Sequence, residues 1–373
     1  MPNTAVRSIP FFNYKGAFSA DEDAYLAIVS DIIRRGAFIQ QRDLADFEAR
    51  LASYLGVKHA IGVANATDGL ILVCRAAGIG PGDEVIFPSH TMVASPAAAA
   101  LVGATPVVVD IGDDHLIDPA AIEKAITPKT KAIMPVHLNG RTCVMDPIVA
   151  IAKKHNLLII EDAAQALGSK YKGQFAGTFG IGAAISFYPA KILGCFGDGG
   201  AVVTNDDEVA RKIKLLRDHG RNDQGDVEFW GMNSRLDNLQ AAILDHQFKD
   251  YDKIIAHRRA VAAVYQEKLE DLAQLSLPPA FGLDPDHEDV FQNYEIEADR
   301  RDELKAFLGQ NNIGTLIQWG GKAVHQFPAL GFTSNLPKTD AFFKRCIMLP
   351  MNMMVSEDDA AYISDKIREF YGA

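Results

Sequence analysis

The sequence predicts an α/β fold: a mainly parallel central sheet in a large domain, followed by a smaller C-terminal α/β domain. Seven short apolar runs follow one another between residues 60 and 204, and helical patterns fill most of the gaps. This alternation is typical of a parallel sheet covered by helices on both faces. A long helical pattern without Gly or Pro then runs from Arg235 to about Leu272 and is expected to link the domains. The predicted domains are residues 1–247, including an N-terminal arm, and 248–373.

The seven predicted strands lie near residues 60–63, 85–87, 106–109, 132–136, 157–160, 183–187 and 201–204. Ahead of them, from Asp43, apolar residues recur at helical spacing: Leu44, Phe47, Leu51 and Leu55. That spacing predicts a helix, and Gly56 is expected to end it. Asp118 and Asp146 each precede a proline, and both pairs are typical of a capped helix start.

The ends of the chain carry fewer signals. Residues 1–20 show no periodicity and are predicted to form an arm. Residues 278–289 have the composition of a loop, and the run NYEIEAD after them predicts a strand. We expect helices from Asp299 to Leu308 and from Glu357 to Tyr371.

Composition excludes several classes of protein. The 373 residues are 48% hydrophobic and 23% charged, which fits a large globular core. The net charge is −11 and the basic residues are scattered, so no nucleic-acid partner is expected. The longest apolar stretch, residues 94–109, is interrupted by Pro96, Gly103 and Pro106, and the first residues lack a secretory apolar region. We therefore expect a cytoplasmic enzyme without membrane contact. The spacing of Cys and His predicts no metal site.

The stretch most informative about chemistry is residues 183–204. It reads as a strand, a turn carrying Pro189 and Lys191, a glycine-rich loop and a second strand. A lone lysine in a turn is usually solvated. Here it lies just past the carboxyl end of a strand, where open α/β sheets bind ligands. Ser186 offers a hydroxyl five residues earlier, and Asp162 follows the apolar run 157–160 towards the same sheet edge.

These motifs resemble those of a known family. SFYPAKILG, then GDGGAVVTND, with EDAAQALGS before them, is similar to the DegT/DnrJ/EryC1/StrS sugar aminotransferases, and the resemblance covers essentially the whole chain. It implies the type I fold of aspartate aminotransferase and the cofactor pyridoxal 5'-phosphate (PLP), with pyridoxamine 5'-phosphate (PMP) as intermediate.

The resemblance also implies roles for individual residues. Lys191 would form an imine with PLP and then act as a base, while Asp162 would keep the pyridine nitrogen protonated. If residues 157–162 form a strand, Glu161 points to the opposite face. Asp162 has a plainer alternative, the N-cap of a following helix. Gln165 matches the residue that contacts the ring hydroxyl.

A phosphate site is expected at a strand-to-helix turn in GVANATDGL. Ala66 and Thr67 lie where free backbone N–H groups favour an anion, although plain capping would look the same. Ser186 resembles the phosphate-binding serine of the family. Asn233, in GMNSRLDNLQ, matches a residue that reaches the cofactor phosphate of the neighbouring subunit. The resemblance therefore implies a homodimer with composite active sites.

Substrate residues are less well defined. Arg235, Tyr188 and His325 are candidates, and His325 could equally be an ordinary polar loop histidine. The family usually places an aromatic ring over the cofactor in the motif PSHTMVAS, where this chain has Met92. A thioether can cover an aromatic ring, with His90 as the alternative. The chain also has Gln41 where the family commonly has Gly, and Asn139 where Tyr is frequent.

By resemblance, the reaction is transfer of an amino group from L-glutamate to the keto group of a nucleotide-linked deoxysugar, with ping-pong kinetics. A related sugar 3-dehydratase carries His in place of Lys191, so the lysine argues against that activity. A PLP-binding regulator without turnover would not need Lys191 and Asp162 together. A nicotinamide enzyme is disfavoured because GIGPGD, residues 78–83, follows a predicted helix instead of an early strand. The carbon aminated, the nucleotide and the stereochemistry stay open.

Overall fold

A computed structural model describes residues 7–373. The strands are β1 His59–Val63, β2 Glu84–Pro88, β3 Thr105–Val109, β4 Thr130–Ile133, β5 Leu158–Asp162, β6 Lys170–Tyr171, β7 Gln174–Phe175, β8 Gly182–Ser186, β9 Gly200–Thr204, β10 Leu275–Ser276, β11 His287–Glu288, β12 Tyr294–Ala298 and β13 Cys346–Leu349. The helices are α1 Tyr14–Ser19, α2 Glu22–Arg35, α3 Arg42–Leu55, α4 Ala66–Ala76, α5 Ala94–Leu101, α6 Pro119–Ala125, α7 Met145–His155, α8 Asp207–Leu216, α9 Asn238–Phe248, α10 Tyr251–Leu269, α11 Arg301–Gln310, α12 Pro337–Arg345 and α13 Glu357–Tyr371.

All seven predicted strands are confirmed, and together they form one sheet. Its order is β1-β9-β8-β5-β4-β2-β3. The pairs β2–β3, β2–β4, β4–β5 and β5–β8 are parallel, whereas β9 is antiparallel to both of its neighbours, β1 and β8. The prediction of a mainly parallel sheet is thus confirmed, with β9 as the reversed strand.

Helices cover both faces of this sheet, as predicted. Helices α4, α5 and α8 pack on one face, while α3, α9 and the start of α10 bury the other. The helix predicted from Asp43 is α3, whose apolar residues at helical spacing are all buried. It ends at Gly56, which adopts a left-handed conformation with φ of 66° that glycine tolerates best.

One of the two predicted helix caps is correct. The Asp118 carboxylate accepts the N–H of Ala120 at the start of α6. The other is wrong, because α7 begins at Met145 and Asp146 already lies inside its first turn. First-turn N–H groups have no helical partner, so Pro147 is tolerated two positions further in than we expected. The Asp146 carboxylate pairs instead with Lys172.

The C-terminal part forms a second core around a three-stranded antiparallel sheet of order β10-β12-β13. Helices α10, α11 and α13 pack against it. The predicted strand is β12, and the closing helix α13 has the predicted bounds. The long helical pattern comprises α9 and α10. Because α10 contributes Tyr251 to the first core and Tyr265 to the second, a domain boundary at residues 247/248 stays a prediction.

The predicted arm, residues 1–20, contains helix α1 at Tyr14–Ser19. Its residues 1–6 lie outside the described part of the chain. None of the helices within residues 7–373 combines the length and apolar character that crossing a bilayer requires.

Gly200 of β9 is fixed by close packing against the turn that precedes α4. A Cβ atom there would lie 2.6 Å from the carbonyl carbon of Asn65 and 2.7 Å from the backbone nitrogen of Ala66. We expect Gly200→Ala to lower the free energy of unfolding by about 1–3 kcal/mol, because backbone must move to admit the methyl group.

The matched control is Gly309→Ala, at an exposed helical site in α11 with no atom within 4 Å of the added Cβ. There we expect a gain of about 0.5–1 kcal/mol. Urea unfolding of both variants measures the difference, and equal effects would contradict the packing argument.

Candidate active site

A cavity of about 440 Å³ lies at the carboxyl ends of β5 and β8. Eight of the residues predicted from the sequence line it: Ala66, Thr67, Met92, Asp162, Gln165, Ser186, Tyr188 and Lys191. They come from four separate segments of the chain. The sheet therefore brings together at one edge the groups that the motifs contain, as expected for a ligand site in an open α/β sheet.

Lys191 lies in a turn held from two sides. Its N–H donates to the carbonyl of Tyr188 at 2.8 Å. The side chain of Gln292 accepts the N–H of Ile192 at 2.9 Å and donates to the carbonyl of Ala190 at 2.8 Å. Gln292 thus clamps the backbone on either side of the lysine. Sequence reasoning missed this residue, because nothing in a glutamine 100 positions away indicates the contact.

The electrostatics of Lys191 favour a neutral amine. Burial penalises the ammonium form and lowers the pKa of Lys191 to about 8, although the nearby charge of Asp162 acts in the opposite direction. A lysine with this pKa offers far more free amine near neutral pH than an exposed one. Nucleophilic and proton-transfer roles both require that form.

Asp162 ends β5 with its carboxylate in the cavity. One oxygen accepts the hydroxyl of Ser95 at 2.7 Å, and the other accepts the N–H of Ala164 at 3.1 Å. Thr91 forms a further hydrogen bond with Ser95. Turns follow Asp162 instead of a helix, so the N-cap alternative is excluded. Thr91 and Ser95 were missed, although their spacing of four was a usable signal.

One end of the cavity is formed by the first turn of α4. Asn65 caps that helix, its side chain accepting the N–H of Asp68 at 2.8 Å. The first-turn N–H groups of Ala66 and Thr67 lie next to it, where helices lack internal partners. Ser186 pairs with Gly200, which packs against this same turn, so its hydroxyl lies at the same end. The arrangement suits an anion.

The structure separates the two candidates for covering a bound ring. Met92 lines the cavity, with 49% of its surface exposed. His90 is 1% exposed and lies away from the cavity, where its ring packs among Trp319, Phe342 and Phe343. The geometry therefore favours Met92 over His90, and the role of Met92 as the cover stays a prediction.

Three predicted residues do not line this cavity. His325 is hydrogen-bonded through both ring nitrogens, to Ser89 at 2.7 Å and to Asp340 at 3.0 Å, which fits the alternative of an ordinary polar loop histidine. Arg235 pairs with Asp218 at 2.8 Å. The cavity of this chain supports neither tentative substrate role, and both stay predictions. Asn233 has an exposed side chain outside the cavity of its own chain.

The two positions that depart from the family pattern have local roles. Gln41 precedes α3, and its side chain donates to the carbonyl of Ile39. Asn139 adopts a positive φ of 57°, and its N–H donates to the side chain of Gln165 at 2.9 Å. Asn139 thus holds a residue that lines the cavity.

The groups present fit PLP. An anion site, a buried carboxylate and an amine of lowered pKa share one cavity, and these are the partners that its phosphate, ring nitrogen and aldehyde require. The fit depends on the chemistry of the side chains and of the first turn of α4.

Comparison with known proteins gives the same result. A Streptomyces venezuelae protein named dTDP-3-amino-3,4,6-trideoxy-alpha-D-glucose transaminase is 41% identical over 370 residues, 97% of this chain and 96% of that protein. The crystal structure of S. venezuelae DesV with a ketimine intermediate has a TM-score of 0.94 at 39% identity, covering 98% of this chain and 99% of that one. A Bacillus subtilis structure with bound PMP has a TM-score of 0.90 at 28% identity, covering 99% and 87%.

The sequence profile of the DegT/DnrJ/EryC1/StrS aminotransferase family matches residues 20–368, nearly the whole described chain. Together with the fold and the site, this match shows that the chain belongs to that family and is a PLP-dependent aminotransferase.

Proposed function

We propose that this aminotransferase moves an amino group from L-glutamate to the keto group of a nucleotide-linked deoxysugar, in a homodimer with composite active sites. The observation that carries the proposal is the shared cavity of Lys191 and Asp162, with an anion site beside them. The dTDP-sugar named for the S. venezuelae relative supports the substrate class.

When bound, PLP supplies an aldehyde that condenses with amines and a ring that accepts electrons from the substrate carbon. Lys191 Nζ would hold the cofactor and, once free, take up and return a proton. Asp162 would keep its carboxylate against the ring nitrogen. The hydroxyl of Ser95 and the N–H of Ala164 orient that carboxylate before any ligand arrives.

The remaining cavity residues would bind and orient. Ala66, Thr67 and Ser186 would hold the phosphate, which fixes one end of the cofactor relative to Lys191. Met92 would cover the ring through its thioether. Tyr188, exposed at the cavity wall, would contact the substrate.

A second subunit would complete the site. Asn233 ends a hairpin-like segment, residues 218–233, in which Asp218 pairs with Asn233 and Arg221 with Val227. The indole of Trp230, three residues earlier, is 88% exposed. Val227 of the same segment is 62% exposed, and exposed apolar side chains that lie together are typical of a surface that another molecule covers. Asn233 would then reach the phosphate in the cavity of the partner.

The first prediction concerns Lys191. With PLP present, borohydride should attach the cofactor to Lys191, as located by mass spectrometry. Lys191→Ala should lower turnover by about a hundred- to ten-thousandfold, because the proton-transfer group is lost. Turnover is read as amino-sugar product from a panel of UDP-, dTDP- and GDP-ketosugars with glutamate. The control is Lys172→Ala, an exposed lysine paired with Asp146. Cofactor trapped at another lysine would refute the assignment.

The second prediction concerns the titration of Lys191. In cofactor-free protein, acetylation of Lys191 should rise with pH with a midpoint near 8, because only the neutral amine reacts and burial lowers its pKa. In Asp162→Asn the midpoint should fall further, since the anion that favours the ammonium form is gone. Competitive labelling and mass spectrometry measure both values. An upward shift in Asp162→Asn would contradict the proposed electrostatics.

The third prediction tests the composite site. Lys191→Ala and Asn233→Ala subunits, mixed at random, should regain about a quarter of wild-type activity, because half the dimers are mixed and each has one complete site. The matched control mixes Lys191→Ala with Asp162→Asn, both of which act in the same chain, so it should show no rescue. Absence of rescue in the first mixture, with mixed dimers confirmed by native mass spectrometry, would reject a shared site.

A further inference from the structure

A partly buried polar network lies behind Gln165, on the wall of the cavity. It contains five side chains from four segments of the chain: Asn139, Gln165, Asn293, Glu295 and Gln318. We propose that this network, centred on Glu295, is a positioning relay that holds Gln165 with its amide N–H groups towards the cofactor ring oxygen. The inference rests on the proposed function, because it deepens the role of Gln165 in that site.

The relay begins at Glu295. One of its oxygens, Oε2, accepts the side-chain amide of Asn139 at 2.6 Å and that of Gln318 at 2.9 Å. Glu295 is 6% exposed, and no described residue satisfies its other oxygen. Its neighbour His90 has Nε2 3.5 Å from Oε2, on the side that is already bonded. A buried carboxylate whose second oxygen has no described partner is costly, so it is a poor choice for stability alone.

The network fixes the direction of each amide. Because Glu295 accepts, Asn139 must present its Nδ2 to it and therefore turns Oδ1 the other way. That oxygen accepts Nδ2 of Asn293 at 2.8 Å and Nε2 of Gln318 at 3.0 Å. Every link has one donor and one acceptor. Exchanging N and O in Asn139 would place donors against donors at these contacts.

The last link determines the orientation of Gln165. The backbone N–H of Asn139, which can only donate, reaches Oε1 of Gln165 at 2.9 Å, and Nδ2 of Asn293 reaches the same oxygen at 3.3 Å. With Oε1 occupied by two donors, Gln165 keeps Nε2 for the cavity that it lines. A fixed donor is what an anionic ring oxygen requires, and an amide free to rotate would present its oxygen part of the time.

The conformation of Asn139 is part of the relay. Its φ of 57° is accessible to asparagine at little cost, and this conformation aims the N–H at Gln165. The contacts of its side chain with Glu295, Asn293 and Gln318 hold that conformation in place. Asn139 therefore transmits the position of Glu295 to Gln165.

The test uses the full-length protein loaded with PLP. Glu295→Leu removes the central acceptor at similar size, whereas Glu295→Gln keeps one acceptor oxygen and serves as the conservative variant. The matched control is Glu297→Leu, two residues along the same strand and facing His115 and Arg345. The measured quantities are the dissociation constant of PLP, the pH midpoint of the absorbance of the bound cofactor, and the melting temperature of the cofactor-free protein.

We expect Glu295→Leu to weaken PLP binding about tenfold and to raise the pH midpoint of the cofactor absorbance. Without an oriented N–H from Gln165, the anionic ring oxygen is a stronger acceptor for the proton on the neighbouring nitrogen, so that proton is lost at higher pH. Glu295→Gln and Glu297→Leu should stay close to wild type. In a Gln165→Ala background the effect of Glu295→Leu should vanish, since the relay acts only through Gln165. If Glu295→Leu does not fold, Asn139→Gly, which tolerates the positive φ, should move the midpoint in the same direction, because side-chain contacts no longer hold the N–H that reaches Gln165.

An effect of full size in the Gln165→Ala background would overturn the relay, as would wild-type values in both Glu295→Leu and Asn139→Gly. Either result leaves the proposed function intact if the cofactor is trapped at Lys191. Failure to trap it there in the wild-type protein would instead reject the proposed function and the relay with it.

Discussion

The parallel pairing of β5 with β8 is the constraint on which the site depends. It sets Asp162 opposite Ala184, two residues before the strand ends at Ser186. Lys191 follows in the next turn and therefore shares a cavity with Asp162. A shift of one residue would turn every side chain of β5 to the other face and remove Asp162 from the cavity.

Glu161, the neighbour of Asp162 on the opposite face, helps to secure that register. Its buried carboxylate accepts the backbone N–H groups of Gly177, Phe179 and Gly180, which lead into β8. It also accepts the Nε2–H of His137, whose other ring nitrogen accepts the N–H of Cys143. Strand β5 thus supplies the Asp162 carboxylate to the cavity and the Glu161 carboxylate to the backbone that supports it, because successive side chains of a strand point to opposite faces.

The second core contributes to the site by clamping the lysine turn. Gln292, just before β12, bonds to the backbone on both sides of Lys191. Arg258 of α10 in turn donates to the carbonyls of Phe291, Gln292 and Met351. The lysine is therefore held by the sheet through its own turn and by the C-terminal region through Gln292. Movement of the C-terminal region relative to the sheet would therefore displace the turn that carries Lys191.

A feature of the fold or site could be predicted from the sequence when its signal lies in neighbouring residues. The strands and α3 were predictable because burial imposes a period that the sequence displays, and Asp162 and Lys191 because each follows an apolar run. Asp146 was misplaced by two residues because proline fits anywhere in a first turn. Gln292 and Glu295 could not be found, since Gln292 bonds to backbone 100 and 102 positions away and Glu295 bonds to Asn139, 156 positions away. A glutamine before a strand or a glutamate within one is unremarkable locally.

Asn139 shows why departures from a family pattern are informative once the structure is known. In the sequence it is only a residue that differs from a frequent tyrosine. In the fold its small amide bonds with Glu295, Asn293 and Gln318 and still leaves the backbone N–H to Gln165. A tyrosine would carry its hydroxyl at the far end of a ring, beyond the positions that Nδ2 and Oδ1 of Asn139 occupy, so it would not bond with the same three partners from this backbone conformation. Asn139 therefore depends on Glu295, because without that acceptor its partly buried Nδ2 would lose its hydrogen bond.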